Sequence, residues 1–135
     1  MILVTDIDGT LANDRWRRNI LPNWDEYHRM SIDDEPNRVI VYFINSLKRD
    51  QTTVVGLTGR PERWRQLTNT WMLRHNIMLD ELIMRPDDNF MSSPDFKLGA
   101  LLSRFDPHQT VVIEDRDDVI TKLRGEGYNV FHFQS

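Results

Sequence analysis

The chain of 135 residues contains no cysteine, which excludes disulfides and thiolate metal sites. Long apolar runs are also missing. The longest, VIVYFI at 39–44, is far too short to span a bilayer, so no membrane role is expected. The start, MILVTD, has no basic stretch leading into a long apolar one, so no secretory signal is visible. There is no excess of positive charge: the net charge is −4, and any nucleic-acid contact must come from a local basic patch or a metal ion. Internal repeats and low-complexity stretches are absent, and the four histidines lack metal-site spacing. These read as structural, with only His28 near the presumed site. The expectation is a soluble, cytoplasmic protein.

What is present is globular: 39% hydrophobic residues, 28% charged residues and four tryptophans, in a length that suits one domain over 1–135. Strand and helix patterns alternate. ILVTDI (2–7), TTVVGL (52–57), ELIM (81–84), TVVIE (110–114) and YNVFHF (128–133) read as strands. Between them, a helix is predicted to open at Pro36, with Val39, Ile40, Phe43, Ile44 and Leu47 recurring at helical spacing. Another opens at Pro61, with Trp64, Leu67, Trp71 and Leu73 inward. A third starts at Pro94 or Asp95 and carries Phe96, Leu98, Leu101 and Leu102, and a fourth covers 117–125. Residues 12–36 are irregular, with at most a short helix around Trp24–Met30, and 85–93 form a loop. This βαβαβαβαβ order implies a parallel sheet covered on both faces, with ligands beyond the carboxyl ends of the strands.

Polar groups gather at those ends. Asp6, Asp8, Gly9 and Thr10 come after strand 1, and Thr58, Gly59 and Arg60 after strand 2. Arg85 comes after strand 3, and Glu114-Asp115 end strand 4, with Lys97 at the start of the helix before it. On a continuous strand, Asp6 and Asp8 would face one pocket, their repulsion calling for an opposing cation. Oxygen donors from Asp6, Asp8 and Asp115, without thiols, suit a hard divalent ion, best Mg²⁺. Each residue also has a structural reading: an Asx turn at Asp8, a helix cap at Thr58, a solvated Lys97, a dipole-facing acid pair at Glu114-Asp115. Their joint order along the strand ends is what points to chemistry.

In that order the chain resembles the haloacid dehalogenase-like (HAD) superfamily of phosphohydrolases: DIDGT (6–10), the threonine of LTGR (Thr58), Lys97, and Glu114-Asp115 in VVIEDRDD. The match runs from residue 2 to about 131. LTGRPERWR (57–65), ELIMRPDDN (81–89) and NWDEYHRMSIDDEPN (23–37) resemble the 3′-phosphatase domain of phage-type polynucleotide kinase. A kinase P-loop, G-x-x-x-x-G-K-[ST], does not occur, so kinase activity is not implied.

The resemblance implies a three-layer α/β/α Rossmann-like core with a mostly parallel five-stranded sheet. Residues 12–36 would be a minimal cap-like insert, too short for a domain, leaving a site open to polymer ends. It implies Asp6 as nucleophile and Asp8 as general acid and base, with Thr58 and Lys97 contacting the phosphoryl group. Mg²⁺ would be held by Asp6, the Asp8 main-chain carbonyl and Asp115, with Glu114 behind them. Gly9, Thr10, Gly59, Arg60 and Arg85 would line the substrate phosphate.

Asp117 and Asp118 read equally well as helix-start acids, because the family's later acidic position falls on Val119. In the insert, Arg15, Arg17, Arg18, Trp16, Trp24 and Tyr27 interleave as nucleic-acid contacts do, or else pack and solvate it. The expected substrate is the phosphorylated end of a nucleic acid, the alternative a nucleotide or other small phosphomonoester. A receiver-type signalling module would want its aspartate after the central strand, which here ends VVGLTGR; an inactive binding relic would not keep every motif residue.

Overall fold

The computed structural model describes residues 1–134. Five strands form one sheet: β1 (Ile2–Thr5), β4 (Thr53–Pro61), β5 (Glu81–Arg85), β6 (Thr110–Glu114) and β7 (Asn129–His132), in the order β5-β4-β1-β6-β7. Every pairing is parallel. Residues of β1 alternate between two cores. Leu3 packs with Val54, Ile113, Ile40 and Ile44 of α2 (Arg38–Arg49), and Trp71 and Met72 of α3 (Arg65–Arg74). Val4 packs on the other face with Val55, Val112, Leu98 and Leu101 of α4 (Ser93–Leu102), and Val119 and Leu123 of α5 (Asp117–Gly125). Two helices per face is the arrangement that right-handed crossovers produce when the chain first moves one way from β1 and then returns past it. The direction reverses between β1 and β6, so the carboxyl ends of these two strands flank the crevice where such sheets bind ligands. The Asp6 amide donates to the Ile113 carbonyl at 3.0 Å and ties the two ends together.

Residues 12–36 leave the sheet between β1 and α2. They comprise β2 (Ala12–Asn13), two 3₁₀ turns, α1 (Trp24–Arg29) and β3 (Glu35–Pro36), with β2 and β3 paired antiparallel. Asn23 caps α1 by accepting from the Glu26 amide at 3.2 Å.

Several local expectations change. β1 stops at Thr5, so Asp6 and Asp8 lie in the turn beyond it and do not share a strand face. β4 continues to Pro61 through an irregularity between Thr58 and Pro61, and α3 begins only at Arg65 after a 3₁₀ turn. Thr58 is therefore a strand residue, not the cap of a helix at Pro61. Val39 (76% exposed), Leu73 (79%) and Leu102 (54%) face outward. Each helix offers more apolar positions than one sheet face can cover, so the neighbours Ile40, Met72 and Leu101 take the buried stripe. Among the described residues no helix is long and apolar enough to cross a membrane.

Candidate active site

The end of β1 places Asp6 in the crevice, 5% exposed. Its Oδ1 accepts from Lys97 Nζ at 2.7 Å and its Oδ2 from Thr10 Oγ1 at 3.2 Å. Lys97 is carried by the first turns of α4, which Ser92 caps. The same ammonium donates to Glu114 Oε2 at 2.7 Å. The other oxygen of Glu114 accepts from the amides of Asp115 and Arg116, at 3.1 and 3.3 Å. Burial alone would lower the Lys97 pKa, but Asp6 and Glu114 outweigh it and hold the ammonium charged. Two carboxylates share that lysine, and the third of the group, Asp115, has Arg18 Nη2 at 3.9 Å from its Oδ2. Burial first, and then Glu114, push the Asp6 carboxyl well above its usual range. Burial likewise pushes Asp115 up to about 6.

Asp6, Glu114 and Asp115 each bring a carboxylate oxygen within 4.8 Å of the other two. Asp115 Oδ1 is buried and has no hydrogen-bond partner among the described residues. An orphaned anionic oxygen lies in a group of three carboxylates faced by only two cations among the described residues, Lys97 and, 3.9 Å from Asp115 Oδ2, Arg18, and all-oxygen donors fit a hard divalent cation.

Gly9 makes this geometry available. It has φ +85°, and a Cβ there would lie 2.1 Å from Asp115 Oδ2. Alanine at position 9 must therefore displace Asp115 as well as strain the turn. For Gly9→Ala we expect a stability loss of about 1–3 kcal/mol and a fall in kcat of roughly 10²-fold, checked by thermal melts and phosphate release.

Asp8 sits differently from the sequence expectation. Its carboxylate turns to two guanidiniums. Arg60 grips both oxygens, Nε to Oδ2 at 3.0 Å and Nη2 to Oδ1 at 2.7 Å, and Arg17 Nη2 donates to Oδ1. Burial alone pushes Asp8 up, but Arg60 and Arg17 outweigh it and hold the carboxyl well below the usual range. The protonated Asp8 expected of a general acid is thus not the resting state: two fixed cations keep it ionised.

Arg17 is fully buried and also binds Asp34, Nε to Oδ1 at 2.8 Å and Nη2 to Oδ2 at 2.6 Å, with Nη1 on the Tyr27 carbonyl at 2.9 Å. Arg60 is 1% exposed and donates Nη1 to Thr68 Oγ1 at 3.0 Å. The insert's basic and aromatic residues therefore divide. Arg17 and Tyr27 go inside, while Trp16 (47% exposed) and Trp24 (55%) remain at the surface. Arg18 pairs with Asp14.

Thr58 is buried, and its Oγ1 accepts from the Arg60 amide at 3.1 Å, so its own O–H points to no described residue. Arg85 donates to the carbonyls of Gly59 (3.0 Å) and Met91 (2.7 Å) and to Asn89 Oδ1 (3.2 Å), so it braces the β5–α4 loop behind Gly59. Asp118 pairs with Arg116 at 2.7 Å, and Asp117 lies 3.7 Å from His132. Both acids stand on the first turn of α5, outside the carboxylate cluster.

Sequence reasoning missed Asp34 and the inward role of Arg17. Their ion pair joins residues of an irregular insert that resemble solvated surface charges.

His28 is buried, stacked on Trp24 at 5.9 Å and tilted against Trp64 at 6.1 Å. Burial lowers its pKa to about 4. Below its unfolded value the unfolded chain takes a proton that the folded chain refuses, so this residue erodes stability as pH falls from about 6.5 towards 4. Melting curves of wild type minus His28→Phe should diverge over that window by up to a few kcal/mol, at about 1.4 kcal/mol per unit.

A sequence model of the polynucleotide kinase PNKP phosphatase domain matches residues 1–135. No curated protein matches significantly. Among solved structures, chains of the Pnkp1/Rnl/Hen1 complex superpose with a TM-score of 0.85 at 20% identity. A second structure of this assembly, the Pnkp1/Rnl/Hen1 RNA repair complex, gives the same values. Both alignments cover 98% of the present chain but only 45% and 42% of those chains, so it spans under half the length of these relatives. A predicted phosphatase from Clostridium acetobutylicum superposes with a TM-score of 0.70 at 14% identity, covering 97% of this chain and 83% of that one. The chain belongs to the family of the polynucleotide kinase PNKP phosphatase domain, a HAD-type phosphatase fold.

Proposed function

We propose that the protein is a Mg²⁺-dependent phosphomonoesterase that works through an aspartyl-phosphate on Asp6 and removes 3′-phosphates from polynucleotide ends. The observation carrying the chemistry is the Asp6 carboxylate held between Lys97 and Thr10 beside Glu114 and Asp115.

An anionic nucleophile approaches an anionic phosphate only where cations offset the repulsion. Asp6, Asp115 and the Asp8 main-chain carbonyl would hold Mg²⁺, which supplies that offset on the phosphoryl oxygens. Glu114 has both oxygens engaged by Lys97 and two amides, which fits a supporting place behind these ligands. Lys97 supplies further positive charge, and the unassigned Thr58 O–H is available to a non-bridging oxygen.

An Asp6 oxygen forms a bond to phosphorus while the ester P–O bond breaks, and the departing alkoxide takes a proton from Asp8. The clamp of Arg17 and Arg60 leaves Asp8 ionised before substrate arrives. A phosphate monoester whose second pKa is about 6 can bring that proton with it, and its negative charge beside Asp8 raises the carboxylate's affinity for it. In the second half, ionised Asp8 takes a proton from water, the water oxygen bonds phosphorus, and the Asp6–phosphorus bond breaks. Arg17 and Arg60 act here as positioning residues.

Family membership supports the nucleic-acid end, and so does the likeness to a chain of an RNA repair assembly. The short insert supports an open site. Phosphate release from a 3′-phosphorylated oligonucleotide, compared with a panel of nucleoside monophosphates, tests the reading. A higher kcat/KM on the panel would sink the polynucleotide version and leave the phosphatase chemistry. Chelation of divalent ions should abolish release in both arms.

A further inference from the structure

We propose that a groove between α2 and the end of α3 carries the phosphodiester backbone of the polynucleotide whose end enters the active site; this rests on the polynucleotide reading above. The groove encloses about 540 Å³, and its lining includes Arg38, Tyr42, Asn45, Arg49, Arg74 and His75, with no acidic residue. It is separate from the catalytic crevice, whose residues do not line it.

In this acidic chain most guanidiniums are answered locally: Arg18 by Asp14, Arg29 by Glu26, Arg63 by Asp25, Arg65 by Glu62, Arg104 by Glu81, Arg116 by Asp118. Arg85 and Arg124 donate to main-chain carbonyls. Arg38, Arg49 and Arg74 have no ion pair and no side-chain hydrogen bond among the described residues, and all three line this one groove. Three uncompensated cations collected in one concavity, in a protein of net charge −4, make a local positive field that complements a polyanion.

The groove is also built. Asn45 donates Nδ2 to the Asn76 carbonyl at 2.8 Å and accepts from the Met78 amide at 3.1 Å, tethering α2 to the chain after α3. His75 rests against Trp71 at 5.0 Å. Tyr42 is 73% exposed and offers a ring face for a base.

Its upper end adjoins the catalytic loop. Just before Arg38, Asn37 donates its Nδ2 to the Thr10 carbonyl at 2.6 Å and its amide to the Leu11 carbonyl at 2.7 Å. From Arg38 to Arg49 the helix runs about 16 Å at about 1.5 Å per residue. That length matches roughly four or five phosphates of a stacked strand at about 3.4 Å each.

The test compares wild type with an Arg38→Ala/Arg49→Ala/Arg74→Ala variant, whose replaced side chains are exposed. Substrates are a 3′-phosphorylated 12-mer and a nucleoside 3′-monophosphate across a salt series, with anisotropy of the same 12-mer ending in a 3′-hydroxyl. We expect the 12-mer KM to rise at least tenfold and the slope of log KM on log salt to fall by about 2, from about 0.7 per lost phosphate contact. kcat and the monophosphate kinetics should stay unchanged. A 12-mer KM and salt slope within twofold of wild type would overturn the proposal and leave the groove to a protein partner. Should wild type prefer monophosphates, the polynucleotide reading falls by itself, and anisotropy decides the groove. Lost 12-mer binding in the variant upholds it; equal binding overturns it.

Discussion

An Asp6→Asn protein is expected to fold normally and to release phosphate slower by roughly 10⁴-fold or more, the scale on which removing a nucleophile acts. The amide keeps the size of the side chain: its oxygen can still accept from Lys97, and its NH₂ can donate to Thr10 Oγ1 once that hydroxyl turns to accept. It cannot form the acyl-phosphate. Stability should hold or rise slightly. Asp6 has its pKa raised by burial and by Glu114, so at neutral pH its ionised form is less favourable in the folded chain than in the unfolded one. Replacing it removes that unfavourable charge, and Lys97 keeps Glu114 as its partner at 2.7 Å. The measurement is single-turnover phosphate release alongside a urea melt. Turnover near wild type would overturn the nucleophile assignment, whereas a collapsed melt would mark the residue as structural.

The second large effect concerns Arg17. Arg17→Met should destabilise the fold by about 3–5 kcal/mol, because it leaves a buried charge without its partner. Asp34 is that charge. Its side chain is fully buried, it holds Arg17 through two bonds, and the next cation, Arg60, lies 3.9 Å away. Burial already raises the Asp34 pKa even with Arg17 present, so the variant should regain stability as pH falls and Asp34 takes a proton.

Activity should fall as well, since Asp8 loses one of its two guanidiniums. Arg17→Met/Asp34→Asn separates the roles. It removes the unpaired charge and should recover most of the stability, but not kcat, because the Asp8 clamp is still missing. Recovery of both would show that Arg17 serves the fold alone. Arg17→Lys should rescue poorly, because one ammonium cannot reach Asp8, Asp34 and the Tyr27 carbonyl with the forked geometry of a guanidinium.

Much of the site was legible in the sequence. Strands alternating with helices fix a parallel sheet, and such sheets place ligands at the strand ends. Asp6, Thr58 and Glu114-Asp115 could be located from the residues at the carboxyl end of each strand, because that placement depends only on local pattern. Lys97 was legible only through the family resemblance, since a single lysine in the first turns of a helix looks solvated until the fold buries it between Asp6 and Glu114. The outward turn of Val39, Leu73 and Leu102 was not, since only the packed neighbours decide which of several apolar positions a sheet face covers.

Tertiary structure alone decided what Asp8 does. Its partners, Arg17 and Arg60, are separated from it by 9 and 52 residues, one in an irregular insert and one on β4. In the sequence, Arg17 and Asp34 look like solvated charges, because nothing local reports that the insert folds back over the strand ends. Folding buries them in a medium where a charge persists only with a partner, and so converts a surface-like pattern into the clamp that orients Asp8. The carboxylates themselves were determined by the sequence. Their ionisation was determined by burial and by the few cations the fold brings within reach.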